Sequence, residues 1–437
     1  MASPRLAVLA AAVIVSGVLG GSPQLAAAPS PSPSSAPSPS SSPTASPTPS
    51  DSPTPASALS QLTAKVQKAL RGNTASHVHY KISVAGLGDI SAHPNRASAP
   101  ASNEKLFTSI ALVDKLGPAY RYATQVWGTV QPVNGVLNGD LVLVGSGDPT
   151  LTRQDLGSLA KELHTTGLRR VTGHLVIDDT RYAHGTRAPG WHHDFLPGES
   201  GAVDAFSVNN DNWRSDSAFL ANPTNANASL WREALRRHSI HVAGSMLVAA
   251  RPISSILLAE HMSRPLSKIV KVTLRESINY YAEMMLREVG YQYSSHGSRK
   301  SGIAAIRSYA DGLGLPVGKV KDGSGLSYAN RETPGTYIAW LSKLPSQPQT
   351  YGTVYDGLAV SCKADGTLHY RMCGPRLKHK VHAKTGTLTH ITSLSGYTET
   401  SGKRFVVFSF LFSGVRSITT ANNHIDAALA AVVRSHA

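Results

Sequence analysis

Ala101-Ser102-Asn103-Glu104-Lys105-Leu106-Phe107-Thr108 decides how the chain is read. The stretch follows Pro100. Ile110, Val113 and Leu116 carry an apolar face onward at helical spacing until Gly117 stops it. Ser102 is therefore expected at the start of a helix, with Lys105 one turn further along the same face. A serine hydroxyl is a weak nucleophile until a base removes its proton. An amine one turn away can be that base if its pKa is lowered. Alone, the pair says little, because serine is a favoured helix cap and lysine is common on helix surfaces.

Working outward, Leu59, Leu62, Val66 and Leu70 mark a first helix that ends at Gly72-Asn73. Val78, Tyr80, Ile82 and Val84 alternate as in a strand with one buried face. Gly86 to Gly88 turns the chain into a second short strand. Helix, hairpin and buried helix together predict an α/β (α+β) unit with helices on an antiparallel sheet. Over residues 121–252 the pattern becomes β-rich. Tyr122 to Val130, Leu141 to Val144, Val171 to Ile177 and Met246 to Ala250 read as strands, and Leu230 to Ile240 as a modest helix. Residues 182–216 read as loops, and no internal repeat is visible. This region is taken as one or two inserted domains, interrupting a domain made of residues 57–120 and 253–437.

Helical spacing returns at Leu266 and should end near Glu276. A second helix carries Tyr281, Met285 and Val289 to Gly290. Ser277-Ile278-Asn279 lies between the two, well placed to face a cleft, although both residue types also cap helices. Asp322-Gly323-Ser324-Gly325-Leu326-Ser327 is a glycine-rich turn that lacks the ending of a phosphate loop. Lys384-Thr385-Gly386-Thr387-Leu388 opens a strand expected to continue through Ile391, Leu394 and Tyr397. After a turn at Ser401-Gly402, Arg404 to Phe412 returns as an apolar strand. Ile425, Leu429 and Val432 mark a terminal helix. Lysine at a strand edge can bind a carboxylate, and glycine lets a ligand approach the backbone.

Residues 1–28 have the plan of a secretory signal: Arg5, an apolar run from Leu6 to Leu19, and Ala26-Ala27-Ala28. Residues 29–56 are almost wholly Pro, Ser, Ala and Thr, a composition suited to an extended spacer. The formal charge is +15, and before residue 57 only Arg5 and Asp51 are charged, so the excess belongs to the folded part. For an exported, envelope-located protein this favours anionic envelope polymers as partners over nucleic acid. Cys362 and Cys373 are expected to form a disulfide. His369 and His379 lie near them, but the spacing fits no zinc pattern, and no metal site is expected.

Ser102-x-x-Lys105, Ser277-x-Asn279 and Lys384-Thr385-Gly386 occur in the order used by class A β-lactamases and penicillin-binding proteins. A second Ser158-Leu159-Ala160-Lys161 lies inside the insertion and lacks the two partner motifs. The long gap from Ser102 to Ser277 exceeds that of class A β-lactamases. It resembles the D-alanyl-D-alanine carboxypeptidase/endopeptidases of the class C low-molecular-mass penicillin-binding proteins, the S13 peptidases. Gly147-Asp148-Pro149-Thr150-Leu151, Phe206-Ser207-Val208-Asn209-Asn210, Pro265-Leu266-Ser267 and Gly366-Thr367-Leu368 add to the likeness. Ile278 and the cysteine pair depart from it. The resemblance implies a transpeptidase-like fold and a catalytic set of Ser102, Lys105 and Ser277. Asn279, Lys384, Thr385, Gly386 and Thr387 would bind substrate, and no cofactor would be needed. Peptidoglycan stem peptides would be the substrate and β-lactams the acylating inhibitors. The implied role of Lys384 is twofold: anchoring a carboxylate and lowering the pKa of Lys105. A β-lactamase or esterase using the same residues, and a non-catalytic envelope-binding protein, are the rival readings.

Overall fold

A computed structural model describes residues 54–185, 187–211 and 223–436. The expected signal and nearly all of the expected spacer lie outside the described residues. Helix α1 (Pro55–Leu70) starts two residues inside that spacer, where the Thr54 hydroxyl accepts the Ser57 N–H and Pro55 occupies the first turn. It buries Leu62, Val66 and Leu70. Strands β1 (His77–Val84) and β2 (Gly88–Ala92) form an antiparallel hairpin. A 3-10 turn over Ala101–Glu104 leads into α2 (Lys105–Leu116), buried from Lys105 to Val113 and ended by Gly117 at φ 77°.

The insertion contributes β3 (Ala123–Gly128), β4 (Val136–Leu137), β5 (Leu141–Val144), α3 (Arg153–Thr165), β6 (Arg170–Val171), β7 (Leu175–Asp178), α4 (Phe195–Gly198), α5 (Pro223–Arg237), β8 (His241–Val242), β9 (Met246–Val248) and β10 (Ile256–Met262). The strands form one sheet of order β10-β3-β5-β7-β9 and a second of order β4-β6-β8. Three expectations change here. Val171 to Ile177 is not one strand: it parts at Gly173 into β6 and β7, which belong to different sheets. β10 pairs with β3, so the insertion's sheet extends to Met262 rather than ending by residue 252.

The insertion also contains a repeat that residue-by-residue reading missed. Leu137-Asn138-Gly139-Asp140-Leu141, Val171-Thr172-Gly173-His174-Leu175 and Val242-Ala243-Gly244-Ser245-Met246 are three copies of one strand–glycine–strand step. Each copy crosses from the small sheet to the large one, and the copies pair in parallel and in register. The Gly173 N–H donates to the Gly139 carbonyl at 3.0 Å, and the Gly244 N–H to the Gly173 carbonyl at 2.9 Å. A Cβ on Gly173 would stand 2.6 Å from the Gly139 oxygen, which accounts for glycine at the crossing.

The chain then adds α6 (Leu266–Arg275), α7 (Asn279–Ser294), α8 (Arg299–Gly312), α9 (Pro334–Lys343), α10 (Pro348–Gly357), β11 (Ala359–Val360), β12 (His382–Leu388), β13 (Ile391–Glu399), β14 (Phe405–Ser413) and α11 (Ile418–Val433). The expected strand from Lys384 to Tyr397 is a hairpin, turned at Thr389–His390, with His390 at φ 62°. Six antiparallel strands run β11-β12-β13-β14-β1-β2. Alternation along β14 separates two cores. Val407 and Leu411 face the helices α2 and α6–α10, while Phe408, Phe410 and Phe412 face α1 and α11. The insertion has its own core around Trp231, Leu143 and Ile177. Among the described residues no helix is long and apolar enough to cross a membrane.

Candidate active site

Ser102 sits in the 3-10 turn at the head of α2, half-buried, where the sheet meets the helical layer. Ala101 at φ 49° and Ser277 at φ 61° are non-glycine residues in the left-handed region. Such conformations cost roughly 1–3 kcal/mol and persist where the surroundings hold them. Two glycines let the backbone close around Ser102. A Cβ on Gly386 of β12 would lie 2.9 Å from the Ser102 nitrogen and 2.8 Å from the Pro100 oxygen. One on Gly325 would overlap the Ala101 carbonyl, and Gly325 is also at φ 84°.

The Lys105 ammonium donates to Ser102 Oγ at 3.0 Å, Asn279 Oδ1 at 2.7 Å and the Ser324 carbonyl at 2.6 Å. One amine thus joins the Ser-x-x-Lys turn, the start of α7 and the glycine-rich turn. Lys105 is fully buried, and burial lowers its pKa to about 7 despite the opposing pull of Asp322, Glu283, Glu199 and Glu104. Lys384 is also fully buried. It donates to Ser277 Oγ and to the Thr385 carbonyl, both at 2.8 Å. Its pKa is held well down, first by burial and then by the charge of Lys105. Desolvation is thus the leading cause of the depressed Lys105 pKa, and mutual repulsion between the two buried amines acts in the same direction.

A cleft of about 520 Å³ opens over these groups. Ser102, Ser277, Asn279, Thr385 and Thr387 line it; Lys105, Lys384 and Gly386 lie behind its wall. Lys384 meets the cleft through Ser277 Oγ rather than lining it. The Thr385 hydroxyl donates to Thr367 Oγ1 at 2.7 Å. Other lining residues come from outside the three catalytic motifs, and Glu199 among them is not singled out by the sequence. Glu199 follows α4, and its carboxylate accepts from Asn279 Nδ2 at 3.3 Å. Thr367 and Arg371 come from the loop closed by the Cys362–Cys373 disulfide, and Arg371 is held by Asp426 at 2.6 Å. Gly366-Thr367-Leu368 is part of the family likeness, whereas Glu199 carries no local motif and only the fold brings it to Ser102.

Deeper down, Glu283 Oε1 accepts the Gly323 and Ser324 N–H groups, both at 2.9 Å, and Asp322 accepts from Gly325, Ser327 and Asn330. This buried acidic frame shapes the turn whose Ser324 carbonyl meets Lys105. The Ser158–Lys161 copy lies mid-helix in α3, with Ser158 Oγ donating to Gln154 O at 3.1 Å on an exposed face. Among the described residues one cluster could hold a metal ion: His192, His193 and Asp194, exposed beside α4. It does not touch Ser102.

The profile of the D-Ala-D-Ala carboxypeptidase 3 (S13) family matches residues 89–216 and 212–435. A D-alanyl-D-alanine carboxypeptidase of Actinomadura sp. (strain R39) is 28% identical over 380 residues, covering 68% of this chain and 70% of the relative. The crystal structure of penicillin-binding protein 4 (dacB) from Haemophilus influenzae superposes with a TM-score of 0.76 at 22% identity, covering 84% of this chain and 98% of that one. A penicillin G-acylated predatory endopeptidase of Bdellovibrio bacteriovorus, in complex with its immunity protein, gives 0.51 at 18% identity, covering 81% and 90%. With its Ser102–Lys105, Ser277–Asn279 and Lys384–Gly386 motifs gathered at one cleft and the family profile spanning most of its length, the chain belongs to the S13 family of D-Ala-D-Ala carboxypeptidases.

Proposed function

We propose that this chain is an exported serine D-Ala-D-Ala carboxypeptidase that trims peptidoglycan stem peptides through a Ser102 acyl-enzyme. One observation carries the assignment of Ser102: its hydroxyl lies 3.0 Å from a lysine amine whose pKa is brought to about 7. An amine with a pKa of about 7 is in large part uncharged at and above neutral pH and can accept the hydroxyl proton. Ser102 Oγ then attacks the carbonyl of the penultimate D-alanine, and Lys105 takes the proton. The backbone N–H groups of Ser102 and Thr387 stabilise the oxyanion. As the C–N bond breaks, the proton held by Lys105 is relayed through Ser277, itself hydrogen-bonded to Lys384, to the leaving amine, so that D-alanine departs and Lys105 is neutral again. Water attacks the ester next, Lys105 accepts its proton, and the hydroxyl of Ser102 is restored.

Asn279, which lines the cleft, hydrogen-bonds the substrate backbone in this reading. Thr385, Thr387 and Thr367 offer hydroxyl groups to the terminal carboxylate, with the Arg371 guanidinium in the same wall supplying positive charge. A β-lactam acylates the same serine by ring opening, as the Bdellovibrio endopeptidase is acylated by penicillin G. Anionic envelope polymers are proposed as the surface partner of the +15 chain. The test uses a peptide ending in D-Ala-D-Ala, its L-Ala-ended analogue and its C-terminal amide. Release of D-alanine from the first alone is expected. Equal cleavage of the amide would overturn carboxylate recognition and favour endopeptidase or esterase activity.

A further inference from the structure

Next to the catalytic cleft lies a second cavity, of about 570 Å³, that the chemistry above does not use. Tyr328 is the partition: it lines both cavities, its hydroxyl accepts the Thr389 N–H at 3.1 Å, and its ring stacks on Phe195 at 6.3 Å. The far side is lined by His77 and His79 of β1, by Arg96, by Arg331 and by Ser413. No carboxylate lines it. Neither Arg96 nor Arg331 makes an ion pair among the described residues.

Cations on an open surface spread apart and are individually solvated. Here they share a concavity, and their supports are fixed. Arg331 Nη1 donates to the Tyr328 carbonyl at 2.5 Å and the Asn330 carbonyl at 2.7 Å, so its side chain is largely ordered before any ligand arrives. His79 is buried, with Nδ1 bonded to Ser98 Oγ at 2.9 Å, and it also hydrogen-bonds the Arg96 backbone. That ties down the segment carrying Arg96. His93 packs edge-on against His79 at 5.8 Å and helps to hold that ring. Two guanidinium forks with imidazole and hydroxyl donors beside them match the oxygens of a carboxylate or phosphate.

We propose that this cavity is an oxyanion-binding subsite, which holds a carboxylate or phosphate group of a cell-wall ligand while the stem peptide occupies the cleft across Tyr328. The source of the anion rests on the reading of a wall enzyme; the presence of the site does not. Calorimetric titration of the full chain with a glycerol-phosphate oligomer, and separately with a stem tripeptide bearing one additional carboxylate, tests it. Arg96→Gln, Arg331→Gln and the double variant are compared with wild type, and the rate of Ser102 acylation by fluorescent penicillin is followed in each.

The double variant should lose about tenfold or more in affinity for at least one of the two ligands, with acylation unchanged, which also shows that it is folded. Loss confined to the oligomer assigns the site to a phosphate polymer, and loss confined to the tripeptide assigns it to a peptide carboxylate. Equal affinity in wild type and double variant, or no binding of either ligand by the wild type, overturns the proposal. Failure of penicillin to acylate the wild type, with anion binding intact, would sink the catalytic reading and leave the subsite standing.

Discussion

An amine surrounded by four carboxylates should hold its proton to above its usual value of about 10.4. Lys105 does the opposite, because complete burial outweighs Asp322, Glu283, Glu199 and Glu104. The sign gives a prediction. Neutral Lys105 is the base, so acylation by a penicillin should rise with pH through an inflection near 7. Glu199 favours the charged amine; Glu199→Gln should move that inflection to lower pH. An inflection that does not move would show that this carboxylate does not act on Lys105. Lys105→Arg stays protonated at every working pH and should lose roughly 10²–10⁴-fold in acylation rate. Wild-type rates in that variant would require another base. The Ser–Lys pair was legible in sequence because a helix fixes neighbours three apart. Burial of Lys105 and the approach of Glu199 were not, since both depend on contacts made across the fold.

At the scale of elements, the disulfide loop has two roles. It closes a separation of 11 residues, and its loss should cost about 3 kcal/mol by loop entropy. It also carries Thr367 and Arg371 into the cleft wall. Replacing Cys362 and Cys373 with serine should therefore lower the denaturation midpoint and raise KM for D-Ala-D-Ala peptides, with a smaller effect on kcat. An unchanged KM would mean that the loop holds its place without the bond. The same scale shows where periodicity misled. The apolar residues Leu388, Ile391, Leu394 and Tyr397 run through a tight turn, and their spacing does not register a turn formed by His390 in the left-handed region. β10 was missed because it is an edge strand: Ile256, Leu257 and Met262 stay exposed and show no clean alternation.

For the whole molecule, the antiparallel sheet with helices on both faces follows from clear helical and strand periodicities at the two ends of the chain. The insertion was less legible. Its parallel strands are two to four residues long, too short for periodicity to register, and their order emerges only when the three glycine steps are aligned. The +15 charge predicts a difference between substrates. Hydrolysis of intact wall fragments should slow as salt rises from low to physiological strength, where the Debye length shrinks to about 8 Å. Hydrolysis of a short, uncharged-side-chain peptide should change much less. Equal salt sensitivity would place the effect in the cleft rather than on the surface. The described residues contain both the catalytic cleft and the cationic cavity, so both can be tested on one chain.

Mass analysis of the intact protein after incubation with benzylpenicillin tests the central claim most directly. Wild type should gain a single penicilloyl adduct, located by peptide mapping to Ser102, and Ser102→Ala should gain none, while Ser158→Ala should behave as wild type. An adduct that persists in Ser102→Ala would contradict the assignment of Ser102 as the nucleophile.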